Sequence, residues 1–281
     1  MPASKQEPIA NDLLAALPLK DYQRLLTGLK PVELIYGQVL YEPGGLIQHV
    51  YFPNNCLVSL LTAVDKQRIL EVGMVGYEGM VGMPLALSYN HSAVRALVQG
   101  TGMAMRMTAK RFLVELKRSE SLRRSLSRYT HFLMAQVSQT AACNRFHNAD
   151  ARLARWLLMT ADCLDTDEYH LTQEFLADML GIRRVGVTKA ASVLQQQRLI
   201  EYSRGHLKIL NRQGLEAAAC TCYRIIKDLQ IVAQVAGPGG GPPPPAEAVQ
   251  TRGRNVTTGL RAQEIAAAPI KGIPHHPFIP A

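Results

Sequence analysis

A chain of 281 residues, 47% hydrophobic and 19% charged, has room for two modest domains with cores of their own. No apolar run approaches the ~20 residues of a membrane span, and the N-terminus lacks the basic stretch and apolar core of a signal peptide, so no membrane partner is expected. The net charge of +9 favours a polyanionic partner, while five scattered cysteines (Cys56, Cys143, Cys163, Cys220, Cys222) suit a reduced, cytoplasmic chain.

Residues 1–10 are polar and expected to be disordered. From Asn11 to Leu29 a helical pattern runs through Leu13, Leu14 and Leu17, and Pro18 opens a second segment with Tyr22, Leu25, Leu26 and Leu29. Between Pro31 and Thr108 short apolar runs alternate with turn residues such as Gly37, Pro43-Gly44-Gly45, Gly73, Gly76, Gly79 and Gly82. Many short strands at close spacing predict a small antiparallel barrel or jelly roll, so residues 11–118 form a β-roll domain in an α+β chain.

A long helix follows from about Ala109, with a break expected near Ser119. Within 119–147, Leu122, Leu126, Tyr129, Leu133, Gln136, Thr140 and Cys143 step by four and three, a heptad seam that predicts pairing with a second copy of the chain. Packing against its own barrel would give a similar stripe. Cys143 on this seam reads either as a redox-sensitive thiol or as a small buried residue. Asn144 to Asp150 is the expected hinge, and the next helix buries Leu153, Trp156, Leu157 and Thr160.

Thr172 to Leu210 reads as helix, tight turn, helix and hairpin. Thr172 is placed to cap the first helix, whose apolar stripe is Leu176, Met179 and Leu180, and Gly181 stands where a left-handed residue is wanted. The second helix buries Val187, Ala190, Ala191 and Leu194, and its other face carries Arg183, Arg184, Val185, Thr188, Lys189 and Ser192. Ile200 and Tyr202, then Leu207 and Ile209, alternate with polar residues around Arg204-Gly205, the pattern of a two-stranded wing.

A basic second helix after a Gly turn is the pattern of a DNA-reading helix-turn-helix; a solvated basic face is the plainer alternative. Segregation of sign favours DNA. Seven basic residues and one acid lie between Arg183 and Arg212, whereas six acids and no Lys or Arg lie between Asp162 and Asp178. The reader domain spans residues 148–236. A last helix is expected from Arg212 to about Ala236. Cys220 and Cys222, two apart on it, would diverge, so no metal site is assigned to them. The Gly/Pro-rich tail, 237–281, is expected to be disordered, and its His275 and His276 are assigned no metal.

The order helix, small barrel, long helix and winged helix-turn-helix resembles the Crp/Fnr family of transcription regulators over about Leu13 to Asp228. LTQEFLADMLGIRRVGVTKAASVLQQQRLI and NADARLARWLL carry the resemblance most specifically, and VGYEGMVGMPLAL is similar to the family's phosphate-cassette region. The resemblance implies a phosphate contact at Thr172, next to Gln173, a base-reading Arg at Arg184 and a second basic reader at Lys189. It places Val185 where many members have Glu, which implies a different target base pair, since Val reaches a thymine methyl rather than a cytosine amino group. Arg183, Thr188, Ser192 and Arg204 complete the expected DNA-binding set.

The effector pocket implied by the same resemblance is degenerate. Gly82-Met83 stands where cyclic-AMP binders have Gly-Glu, and Ser92-Ala93 falls where they have Arg-Ser. Arg95 is offset by an odd number of strand residues, and Val137 and Ser138 stand where Thr and Ser reach the purine. Burying a phosphate with no partner is unfavourable, so control by cyclic AMP in the family manner is not expected. No cofactor is expected, and no iron–sulfur cluster of the kind the resemblance to the Fnr branch would imply, because that branch needs a cysteine group near the N-terminus and none precedes Cys56.

The expected function is a homodimeric, sequence-specific regulator with promoter DNA and RNA polymerase as partners. A ligand-binding or protein-interaction module whose helix-turn-helix does not read DNA is the alternative. An enzyme is not expected: a metal cupin would need convergent ligands, and His49, His91 and Glu71 are dispersed with no HxH spacing.

Overall fold

The structure is a computed structural model that describes residues 11–63, 69–164 and 166–235. The segments expected to be disordered, 1–10 and 237–281 with His275 and His276, lie outside the described residues.

Helix α1 (Asp12–Ala15) is capped by Asn11, whose Oδ1 accepts from the Leu14 amide at 3.2 Å, and α2 (Leu19–Leu26) starts after Pro18. Seven strands follow: β1 (Lys30–Leu34), β2 (Val39–Tyr41), β3 (His49–Pro53), β4 (Leu57–Ala63), β5 (Ile69–Val75), β6 (Arg95–Gly100) and β7 (Gly102–Thr108). All pair antiparallel, in two sheets of order β1-β7-β3 and β2-β6-β4-β5. The domain is thus a two-sheet β-roll rather than a closed barrel. Phe52 and Val50 of one sheet and Leu57, Val58 and Val98 of the other share its buried core. A 3-10 helix, Met83–Leu87, separates β5 from β6 and is entered through Gly82 at φ +106°.

Helix α3 (Ala109–Arg118) gives way to α4 (Glu120–Phe146) at Ser119, whose hydroxyl accepts from the Leu122 amide at 3.1 Å. The expected break at Ser119 is therefore a second helix cap.

The heptad seam turns inward. Leu122, Leu126, Tyr129, Gln136, Thr140 and Cys143 are buried within the chain itself, with Leu133 half-buried beside them. Gln136 Oε1 accepts from the Met74 amide on β5 at 2.8 Å, and a Cβ at Gly79 would stand 2.1 Å from the Tyr129 hydroxyl. In this arrangement the seam is not a surface offered to a partner, which corrects the expectation for these seven residues. The reason is physical: a spacing of four and three marks one face of a helix, and the chain's own β-roll, with α5 and the segment around Cys220 at the carboxyl end, covers that face. The face of α4 left open carries Ser127, His131, Met134, Ser138, Ala141 and Arg145, all exposed and again stepping by four and three.

Helix α5 (Ala149–Leu164) is buried at every position from Arg152 to Ala161 because it is covered on both sides. Trp156 Nε1 donates to Glu71 Oε1 of β5 at 3.0 Å and Gln99 Nε2 of β6 donates to the Thr160 hydroxyl at 3.3 Å, while the opposite side packs on the reader. The reader itself is β8 (Glu168–His170), α6 (Gln173–Leu180), α7 (Arg184–Gln196), β9 (Ile200–Ser203) and β10 (His206–Ile209). The wing sheet has order β8-β10-β9, one strand more than the expected hairpin.

The expected single last helix is two, α8 (Arg212–Ala218) and α9 (Cys222–Val235). Ala219 is extended, and the Cys220 amide donates to the Ala151 carbonyl of α5 at 3.4 Å, so the chain is held open where the helix would have continued. Cys220 and Cys222 consequently do not diverge from one helix. From this break α9 packs along α4 and reaches α1, where Gln234 Nε2 donates to Asp12 Oδ2 at 2.6 Å.

Candidate nucleic-acid interface

Thr172 accepts from the Phe175 amide at 3.1 Å and caps α6. Gly181 ends α6 at φ +60°, ψ +37°, the left-handed geometry that lets the chain turn sharply into α7. A Cβ there would also lie 2.6 Å from Leu70 Cδ1 of β5. Gly181→Ala should lower stability by about 1–2 kcal/mol through the left-handed backbone alone, read as a shift of the urea midpoint.

Leu176, Met179 and Leu180 of α6 close on Val187, Ala190, Ala191 and Leu194 of α7, all buried. This packing fixes which face of α7 points outward. Arg183, Arg184, Val185, Thr188, Lys189 and Ser192 are all exposed, Val185 at 65%. Arg183 precedes α7 in extended geometry with no side-chain cap, so the first amides of α7 have no cap from it and remain donors toward an anion. Thr188 Oγ1 donates toward Gln173 Oε1 at 2.9 Å and joins the two helices across their outer rim.

Arg204 and Gly205, at φ +51° and +84°, form a two-residue hairpin loop with both central residues left-handed, which projects Arg204 into solvent. Tyr202 anchors the wing by donating from its hydroxyl to the Leu171 carbonyl at 2.7 Å, and its burial raises the phenol above its usual pKa. Lys208, by contrast, is paired with Glu168 of β8, and that pairing holds the Glu168 carboxyl below its ordinary range. Arg183, Arg184, Lys189 and Arg204 make no ion pair with another described residue. Asp162, the first of the acids upstream, is instead engaged by Arg212 and Lys227 on the far side of α5. The interface thus carries uncompensated positive charge on one face, as a phosphate-facing surface requires.

The seven residues assigned to an effector pocket lie at the start of the 3-10 helix, on β6 and the turn before it, and on α4. Gly82 and Met83 open the 3-10 helix, with Met83 buried. The Ser92 hydroxyl donates to the Val94 carbonyl at 2.7 Å, Ala93 is exposed, and Arg95 pairs with Glu42 at 2.9 Å. Val137 is half-buried on α4, and exposed Ser138 donates back to the Met134 carbonyl at 2.9 Å. A separate cleft runs between the 3-10 helix, α3 and α4, bordered by Leu87, Leu116, Leu126 and Thr130. Sequence reasoning missed one cluster, Cys143, His147, Cys220 and Cys222, which the break between α8 and α9 brings together.

Among curated protein sequences nothing matches this chain. The family model of the Crp-like helix-turn-helix domain matches residues 151–218. Among solved structures, FixK2 from Bradyrhizobium japonicum is similar with a TM-score of 0.58 at 15% identity, over 68% of this chain and 98% of that one. A CRP-family transcriptional regulator from Thermus thermophilus gives 0.56 at 18% identity, over 67% and 96%. The c-di-GMP responsive global regulator CLP of Xanthomonas campestris gives 0.54 at 16%, over 68% and 99%. No described helix is long and apolar enough to cross a membrane. Residues 151–218 are a Crp-like helix-turn-helix domain, and the chain has the fold of the Crp/Fnr transcriptional regulators.

Proposed function

We propose that this protein is a homodimeric, sequence-specific DNA-binding transcription regulator of the Crp/Fnr type, acting in the cytoplasm on promoter DNA and through RNA polymerase, with no enzymatic activity of its own. The observation that carries the reading is the outer face of α7. Its cationic and polar side chains face outward, and its cations make no ion pair with another described residue. With α7 in the major groove, Arg184 donates in bidentate fashion to guanine O6 and N7, Lys189 reads one turn further on, and Val185 meets a thymine methyl. Thr172, Arg183 and Arg204 hold phosphates on either side.

Pairing of two chains uses the open face of α4, Ser127, His131, Met134, Ser138, Ala141 and Arg145. Small side chains at Ser127, Ser138 and Ala141 allow two such helices to approach closely. A pair of chains related by a two-fold axis reads two half-sites about 34–36 Å apart. Cyclic AMP does not control the protein in the family manner: Arg95 is taken up by Glu42, and buried Met83 stands where a ribose-binding carboxylate would be needed.

Selection of bound duplexes from a random pool, with and without cyclic AMP, tests the reading. A palindromic consensus unaffected by the nucleotide is expected; equal affinity for all sequences would sink it. In the same assay Arg184→Ala should weaken consensus binding by about 1–3 kcal/mol, a factor of roughly 5–150, and relax the preference at one base pair per half-site.

A further inference from the structure

The carboxyl end of α4 and the break between α8 and α9 place four soft donor groups in one spot. Cys143 is in the last turn of α4, and His147 lies four residues on, so both side chains emerge on one side of the helix end. Cys220 and Cys222 bracket Thr221 at the start of α9. The three sulfurs and one imidazole nitrogen all lie within 4.8 Å of one another. Cys143 Sγ is 3.4 Å from Cys220 Sγ, and Cys222 Sγ is 3.4 Å from His147 Nδ1.

We propose that Cys143, His147, Cys220 and Cys222 form a tetrahedral site for a soft divalent metal ion of the zinc class. Three thiolates and an imidazole are a donor set that zinc takes in closed structural sites. With metal–sulfur bonds near 2.3 Å, tetrahedral sulfurs stand about 3.8 Å apart, so the 3.4 Å between Cys143 and Cys220 needs adjust by only a few tenths of an ångström. Binding converts three thiols to thiolates and releases up to three protons, and the imidazole binds through its neutral Nδ1.

The loaded site carries one net negative charge, and the surroundings fit it. Gln139 Nε2 already donates to Cys222 Sγ at 3.1 Å. Arg152 and Arg155 of α5 are buried beside the cluster, each with an Nε that has no hydrogen-bond partner among the described residues. Arg152 is anchored there by donating to Asn144 Oδ1 at 2.7 Å and to the Leu180 carbonyl, and Arg155 by donating to Thr140 Oγ1 at 3.4 Å. The ligands also come from both sides of the Asn144–Asp150 junction between α4 and α5. A metal here therefore pins the reader to α4 across the segment that would otherwise let it swing.

Titration of the reduced full-length protein with cobalt(II) tests the site directly. Expected are thiolate-to-cobalt charge transfer and the visible bands of tetrahedral cobalt, saturating at one ion per chain and displaced by zinc. Cys222→Ser and His147→Ala should each abolish or weaken those bands, whereas Cys56→Ser, remote in the β-roll, should leave them intact. Zinc should also protect Cys143, Cys220 and Cys222 of the unaltered protein from alkylation, a readout that does not depend on any variant folding. Octahedral cobalt spectra, no saturation, or alkylation of these thiols at equal rates with and without zinc would overturn the proposal. Formation of a Cys143–Cys220 disulfide at the same rate with and without zinc would do so equally.

Discussion

Met134→Glu should convert the proposed homodimer into a monomer and weaken binding to a palindromic duplex by roughly 100-fold or more, because the second half-site no longer adds effective concentration. Met134 lies at the middle of the open heptad face and is 65% exposed. In a monomer a glutamate there meets only water, so stability should move by no more than about 0.5 kcal/mol. In a symmetric pair the same residue sits near its own copy, and two carboxylates at a closely packed layer repel. Sedimentation at increasing protein concentration checks the first half, and binding to full and half operators checks the second. Leu126→Ala gives the contrast. Leu126 is buried against the chain's own core, so its truncation should cost about 2–5 kcal/mol of folding stability and leave the monomer–dimer constant of the folded protein nearly unchanged. The reverse outcome, with Leu126 controlling assembly and Met134 inert, would mean that the chain opens to pair through its apolar seam.

That comparison marks where sequence and structure part. The reader was legible because each cue in it is local. Thr172 caps, Gly181 turns, and the buried and exposed sets of α7 follow from a 3.6-residue period over a few turns. The β-roll was legible at the level of strands and turns, but which sheet each strand joins depends on pairings such as β1 with β7, far apart in the chain. The four-and-three spacing of the seam marks one face of α4, yet periodicity does not say what covers a face. Two faces of this helix step by four and three, and only tertiary packing distinguishes them. The third strand of the wing, β8, is three residues of mixed polarity, too short for an alternation to be detected. The cysteine–histidine cluster was hidden by one assumption, that the last helix is continuous. Ala219 carries no helix-breaking side chain, and the interruption is imposed by the contact of Cys220 with α5.

Glu71 and Glu78 should pull the stability of the folded chain down as the pH rises from below 4.5 to above 7, opposite to ordinary acid denaturation. The cause is two carboxyls buried away from water. Burial raises Glu71 from its ordinary value of 4.5 to about 7, and burial does the same to Glu78. The hydrogen bonds around Glu71 agree. Gln99 donates its amide to Thr160, so its carbonyl oxygen faces the Ser59 hydroxyl, which also faces Glu71 Oε2 at 2.6 Å. One hydroxyl proton cannot serve both acceptors, and a protonated Glu71 supplies the second. A group whose folded pKa lies above its unfolded value binds its proton more tightly when folded. Its contribution is complete below the unfolded value and is lost as pH climbs through the folded one. For Glu71 the loss is about 3 kcal/mol as an upper figure, with Arg155 offsetting part of the ionised carboxylate's cost. Exposed carboxyls with lowered values, such as Glu120 and Glu168, act in the opposite direction below this window and screened by solvent, while His49 and Cys220, both held below their ordinary values, oppose the loss within it. Urea midpoints across the range give the slope. Glu71→Gln keeps an acceptor for Trp156 Nε1, removes the titrating proton, and should make the slope less negative, with Glu71→Gln/Glu78→Gln shifting it further in the same direction. Because Glu71 lies on β5 and Trp156 on α5, an ionised and desolvated carboxylate favours entry of water at the junction that holds the reader against the β-roll, even though the Trp156 hydrogen bond itself favours the ionised form. The pH slope should therefore be mirrored in faster proteolysis between α4 and α5, and an unaltered cleavage rate would confine the effect to the β-roll.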